Sequence, residues 1–172
     1  MIVVKNLSKS FDGFCAVNNL SFEVGTREIF GFIGPNGAGK TTTIRILATL
    51  MEPDSGEAWI DGHNVADDPE KVRHIIGYMP DYFGVYEGVT IREYLDFFAH
   101  AYRIHRPQRH KVVGDCMALT DLQNVSEKLV ATLSKGMKQR LCLAKTLLHN
   151  PKILILDEPA SGLDPRARIE FR

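Results

Sequence analysis

The chain has 172 residues, enough for one compact domain with a sizeable core, and its 44% apolar and 24% charged content is an ordinary globular mixture. Its 21 basic and 21 acidic side chains cancel, which argues against a polyanion-binding surface and hence against nucleic acid as a partner, while leaving room for a local phosphate site. The longest apolar runs, such as Ile153-Leu154-Ile155-Leu156, are too short to cross a bilayer, and Lys5, Lys9 and Asp12 interrupt the early apolar residues where a signal sequence needs continuity.

Three strands are expected at the start: Ile2-Val3-Val4, Leu20 to Val24, and Glu28 to Ile33. Asp12-Gly13 and Val24-Gly25-Thr26 supply turn chemistry between them. The third strand runs into a glycine-rich loop, and Lys40 to Leu50 then reads as a helix that ends before Pro53. Gly56 to Ile60 reads as a strand closed by an Asp61-Gly62 turn, Pro69 to His74 as a short helix, and Ile75 to Met79 as a buried strand. Beyond it the pattern becomes helical. Thr90 and Glu93 form a capping-box pair that opens a helix carrying Tyr94, Leu95, Phe97, Phe98 and Ala101. Further helices are expected over Arg109 to Leu119 and Lys135 to His149. Asn150-Pro151 stops the last of these, Lys152 to Leu156 returns to strand, and Asp164-Pro165 reads as an N-cap with proline in the first helical position. The reading is one domain: a β and loop part to residue 80, a helical lobe over 81–148, and a strand, loop and helix from 149 to 172.

The three cysteines, Cys15, Cys116 and Cys142, have no metal-ligand spacing and no closed pairing scheme, and are expected as reduced, buried thiols. His105 and His110 share no helical face and read as surface residues. The aromatics Tyr94, Phe97, Phe98 and Tyr102 read first as core.

Two segments carry chemistry. Gly34-Pro35-Asn36-Gly37-Ala38-Gly39-Lys40-Thr41 meets the pattern G-x-x-x-x-G-K-[ST] in the required strand-loop-helix setting. Its glycines let several backbone N–H groups converge on phosphate oxygens, and the following helix, with Thr42 in its first turn, points its positive end at the same anion. Lys40 is expected at the β and γ phosphates of ATP or a related nucleotide, and Thr41 is a candidate Mg²⁺ ligand. The second segment, Ile153 to Glu158, sets two carboxylates at the end of an apolar strand. Alternation sends Asp157 and Glu158 to opposite faces, so they take different roles. One can support Mg²⁺ and the other can act as general base toward a water at the γ phosphate.

Leu133-Ser134-Lys135-Gly136-Met137 resembles the signature segment of ABC-type ATPases, usually Leu-Ser-Gly-Gly-Gln, and Ala160-Ser161-Gly162-Leu163-Asp164 resembles their D-loop. Phe11 stands where that family has its adenine-stacking aromatic, and Ile76-Gly77-Tyr78-Met79-Pro80 resembles the lead-in to its Q-loop. With the phosphate loop, five motifs match in order and spacing along the whole chain. The resemblance implies an α/β fold, a P-loop NTPase core with an N-terminal antiparallel β subdomain and an inserted α-helical subdomain. It also implies Asp157 as a Mg²⁺ support and Glu158 as the base. Two such domains would pack head to tail, with ATP between one phosphate loop and the partner's Ser134 and Gly136. A helix start does present free N–H donors to an anion, and Ser134 is a good N-cap in its own right. The Leu-Ser-Lys-Gly-Met variant is similar to that of ABC-2-type exporters, which implies a membrane-spanning permease partner and a place on the cytoplasmic face of a membrane. Tyr82, Phe83, Val85 and Tyr86 fall where the family touches that partner. The rival readings are a soluble, non-transport ABC-type ATPase and a truncated remnant that binds nucleotide without efficient hydrolysis.

This sequence departs from the family pattern in three places. Asp81 stands where the Q-loop glutamine belongs. Ionised, it can only accept hydrogen bonds, and it is one methylene shorter. Two readings are open: it reaches Mg²⁺ or its water shell, or it caps the turn after Pro80. Lys135 replaces a signature glycine, and is either close to the partner's nucleotide or a solvated first-turn residue. Finally, no switch histidine follows the D-loop, since all six histidines precede the acidic strand. The fold is therefore expected to be incomplete at the C-terminus, and the chain alone to be unstable and poor in hydrolysis.

Overall fold

The Asp12-Gly13 turn has positive φ at both residues, 45° and 84°, the mirror-image turn whose twist matches that of paired strands. Phe11 faces Phe14 directly across it. The product is a hairpin of two long antiparallel strands, β1 (Ile2–Phe11) and β2 (Phe14–Val24). Both are longer than the apolar runs predict, because the ladder continues through polar residues and absorbs register shifts between Val4 and Ser10. β3 (Ser55–Ile60) pairs antiparallel with the other edge of β1, and the Asp61-Gly62 turn leads into the two-residue β4 (His63–Asn64). The sheet order is β2-β1-β3-β4. This is a computed structural model that describes residues 1–81, 84, 86 and 88–159.

The chain divides into two compact units, Met1–Ile76 and Gly77–Arg172. In the first, α1 (Lys40–Leu47) packs against β2 and β3 and buries Ile46 and Leu47, while the sheet buries Val4, Leu7, Ala58 and Ile60. Fully burying a valine, leucine or isoleucine among these stabilises by about 1.5–3 kcal/mol. α2 (Pro69–Ile75) opens with proline in its first turn, where a missing N–H costs nothing, and buries Val72.

The expected strand over Glu28 to Ile33 is not formed. Its side chains do alternate, with Phe30 and Phe32 gathered on Phe22, ring centroids 5.2 and 5.6 Å away, and Ile29 and Ile33 in solvent. Alternation alone makes no strand, though. A ladder partner is needed, and among the described residues this segment has none.

The second unit joins strand β5 (Ile76–Met79) to β6 (Ile153–Leu156), and gathers three helices: α3 (Ile91–Ala101), α4 (Arg106–Leu119) and α5 (Lys135–Leu147). The helices close on a core of Ile91, Tyr94, Leu95, Val113, Met117, Leu122, Val130 and Leu141. α3 carries the expected capping box: the Glu93 N–H donates to Thr90 Oγ1 at 3.2 Å, and the Thr90 N–H donates to the Glu93 carboxylate at 2.8 Å. α4 starts three residues earlier than expected, since Pro107 is tolerated in a first turn, and α5 ends at Leu147 rather than His149. Gly77 is held at the β5–β6 junction by space: a Cβ there would come within 2.8 Å of Pro151 and Thr146 and 2.9 Å of Leu154.

Two burial expectations need correction. Cys116 and Cys142 are buried, and burial pushes both thiols above their ordinary range, but Cys15 is exposed because it lies beside the hairpin turn at the rim of the sheet. Tyr94 and Phe98 do belong to the core or pack on it, whereas Phe97, on the outer side of α3, is 58% exposed. His105 and His110 are at the surface, as read. The Asp164-Pro165 helix start lies outside the described residues.

Candidate functional site

In the first unit the glycine-rich loop wraps around the start of α1. Gly37 and Gly39 have φ of 82° and 79°, the left-handed region that side chains resist, and Gly39 is the residue immediately before the helix. A Cβ on Gly39 would also run into the Ala16 carbonyl oxygen of β2. Position 39 therefore excludes a side chain twice, by angle and by space. The Gly39 carbonyl accepts from the Thr43 N–H at 2.8 Å and from the buried Thr43 hydroxyl at 2.9 Å, which fixes the first turn. Within the loop the Ala38 N–H donates to Pro35 O at 3.2 Å.

Lys40 folds back over its own loop. Its ammonium donates to Gly34 O at 2.7 Å and to Pro35 O at 2.8 Å. An ammonium has three donors, so one remains for an anion. Pro35, Asn36, Gly37 and Ala38 are exposed, and Thr41 and Thr42 half-buried, so the loop is accessible to a ligand. No acidic side chain occupies the first turn of α1 to compete for the helix's positive end. Phe11, also in this unit, ends β1 and is 41% exposed.

The second unit holds the carboxylates. The Asp157 N–H donates to Met79 O at 2.9 Å, so Asp157 lies level with the end of β5, and Asp81 follows two residues beyond that end. Asp157 is buried, only 3% exposed, whereas Glu158 is exposed. The two differ in exposure, and Glu158 has a φ of 48°, outside the extended region in which strand alternation would set its direction. Asp81 is exposed. Ser134 caps α5, its hydroxyl accepting from the Met137 N–H at 3.3 Å, and both Ser134 and Lys135 face solvent, with Gly136 half-buried in the first turn. The D-loop, Ala160 to Asp164, and Tyr82, Phe83 and Val85 lie outside the described residues.

Residues 17–161 match the family model described as ABC transporter. The chain belongs to the ABC transporter family. This cassette is 38% identical over 171 residues to the probable multidrug ABC transporter ATP-binding protein YbhF of Escherichia coli, covering 99% of the chain and 30% of that protein. It is 40% identical over 172 residues to the bacitracin transport ATP-binding protein BcrA of Bacillus licheniformis, covering all of the chain and 55% of that protein. It therefore spans about a third to a half of the length of these relatives. Among solved structures it superposes on the dimeric bacterial ABC transporter cassette MJ0796 with a TM-score of 0.87 at 28% identity, over 99% of the chain and 79% of that one. A post-hydrolysis form of the same cassette, bound to ADP and Pi, gives 0.86 at 28% identity, over 97% of the chain and 78% of that one. The α/β fold expected from the motifs is that of this ABC cassette family.

One further feature of the cassette had no strong signal in its sequence. Between α3 and α4 lies a cleft of about 500 Å³ lined by Arg92, Asp96, Phe97, His100, Arg109 and Val113, among others. Arg109 reaches Asp96 at 3.5 Å, and its buried Nε has no hydrogen-bond partner among the described residues. Tyr86 packs on Phe97, ring centroids 6.1 Å apart, so an exposed aromatic patch adjoins the cleft. Only the aromatics of this patch were visible in the sequence, because Arg109 and Asp96 meet across two helices.

Proposed function

We propose that this chain is the ATP-binding and ATP-hydrolysing part of an ABC-type exporter that works on the cytoplasmic face of a membrane. The observation that carries the reading is the phosphate loop, with Gly39 forced into a left-handed turn and the Lys40 ammonium poised above two loop carbonyls with one donor left. In this reading Gly34, Pro35, Asn36, Gly37, Ala38, Gly39, Thr41 and Thr42 wrap the phosphates, Lys40 neutralises the β and γ oxygens, and Phe11 stacks on the adenine.

The second unit contributes the carboxylates. Thr41, Asp157 and Asp81 would hold Mg²⁺, which when bound neutralises charge on the β and γ oxygens. Their hydroxyl and carboxylate oxygens suit a hard cation. Glu158, exposed where Asp157 is buried, takes the proton of the water that attacks the γ phosphate. Two chains close head to tail, so that Ser134 and the Gly136 N–H of one reach the γ phosphate held by the other. A cytoplasmic segment of a membrane-spanning permease docks at the Tyr86–Phe97 patch and the neighbouring α3–α4 cleft, where exposed aromatic surface adjoins charged side chains.

The test is Glu158→Gln, which keeps shape and removes the base. ATP affinity is expected to stay within about twofold and Mg²⁺-dependent turnover to fall by at least about 100-fold, within the range general bases contribute. Undiminished turnover would overturn the base assignment, and unmodified protein that binds ATP but never turns it over would leave a binding module only.

A further inference from the structure

The end of β1 is held by a residue that the reading above leaves unused. β1 pairs with β3 only as far as Ser8, opposite Ser55. Beyond that point Ser10 and Phe11 have no strand on the β3 side, and the edge needs other partners. Asp54 supplies them. Its backbone N–H donates to Ser8 O at 2.9 Å, one carboxylate oxygen accepts from the Ser10 N–H at 2.7 Å, and the other accepts from the Lys9 ammonium at 2.6 Å. One residue thus pins three consecutive positions of β1, 8 to 10, just before the aromatic.

The anchored Lys9 does a second thing. Residues two apart on a strand share a face, and the Lys9 ammonium stands 5.8 Å from the centroid of the Phe11 ring. A cation at that distance is attracted to the ring's π-face and limits how the ring can turn. The Lys9 side chain is only 18% exposed, so its position is well defined by its surroundings. The ring itself keeps enough open surface for a planar base to stack on.

We propose that Asp54 is the positioning residue for the base-binding platform: through Lys9 and the Ser10 N–H it fixes the Phe11 ring where a purine stacks. The inference rests on Phe11 being that platform. Asp54 does not touch the nucleotide. It sets affinity for the base and leaves affinity for the phosphates alone.

The experiment compares two ligands on the full chain, ATP and inorganic tripolyphosphate, which carries the phosphates without the base. Phe11→Ala is expected to weaken ATP by about tenfold, a stacked base's usual share, and to leave tripolyphosphate unchanged. Asp54→Ala is expected to weaken ATP by about threefold to fivefold, again with tripolyphosphate unchanged, because the platform is loosened rather than removed. Asp54→Asn, which keeps an acceptor for the Ser10 N–H, recovers part of the loss. If Phe11→Ala lowers the ATP preference and Asp54→Ala does not, the positioning role is wrong and the platform stands. An unchanged preference in Phe11→Ala removes the platform and this inference with it. Equal loss of both ligands in Asp54→Ala means a general structural role and also overturns the proposal. Should Asp54→Ala melt early, Lys9→Met decides. It keeps the apolar stem and removes the ammonium, and it is expected to lower the ATP preference alone; no change there overturns the inference.

Discussion

Gly39 and Lys40 show how much a phosphate loop demands of single residues. Gly39→Ala would force a Cβ into left-handed backbone, at about 1–2 kcal/mol, and against the Ala16 carbonyl as well. The loop is expected to shift away from β2, lowering the thermal midpoint and weakening ATP together. Lys40→Met makes the contrasting case. It removes two hydrogen bonds to loop carbonyls, one exposed and one half-buried, which water can largely replace, so the melt is expected to move little while ATP affinity falls at least about tenfold. A parallel loss of stability in both variants, read by calorimetry beside nucleotide titration, would contradict this division. These residues were legible in the sequence because the motif is local: spacing alone fixes which backbone groups converge. Asp54 was not legible, since its partners Lys9 and Ser10 lie more than forty positions away and only the β1–β3 pairing brings them together.

At the scale of elements, the caps of α3 and α5 behave as the sequence promised. Thr90 and Glu93 close the start of α3 by mutual hydrogen bonds, and the two bonds from Thr90 hold the Glu93 carboxyl below its ordinary value of 4.5. A carboxyl whose folded value is depressed stabilises the fold at pH above 4.5, and loses that contribution as pH falls through the lower folded value. The denaturation midpoint of the unmodified chain is therefore expected to drop below pH 4.5 more steeply than that of Glu93→Gln, which has no charge to lose. Curves that stay parallel across that interval would show the box contributes no proton-linked stability. Ser134 has the same kind of role at α5. Ser134→Ala should cost about 1 kcal/mol of stability by melting, and the proposed dimer would lose a phosphate contact besides. Helices and hairpins were readable because caps and turns sit within a few residues of what they stabilise. Glu28 to Ile33 was misread for the opposite reason. Its alternation is present, but whether it pairs depends on partners that no local pattern records.

For the molecule as a whole, that same segment sets up two competing modes of association. Ile29 is fully exposed and Ile33 is 96% exposed, on a six-residue stretch of high β propensity with one charge and no proline. Among the described residues this backbone has no ladder, and such a segment beside exposed branched side chains is a template for edge-to-edge pairing between chains. Such association needs no nucleotide. The proposed head-to-tail dimer, in contrast, depends on ATP held in the phosphate loop and presented to Ser134 of a second chain. The two separate by ligand and by mutation. Ile29→Lys with Ile33→Lys places charge on the bare face, and is expected to suppress nucleotide-independent oligomers in sedimentation velocity while leaving ATP affinity unchanged. Added to Glu158→Gln, so that ATP persists, the same pair should leave a discrete dimer that forms with ATP and Mg²⁺ and dissolves when nucleotide is removed. Oligomers that survive the lysine pair without ATP would show that another surface drives them. A dimer that ignores ATP in the combined variant would place the contact away from the phosphate loop and the signature helix.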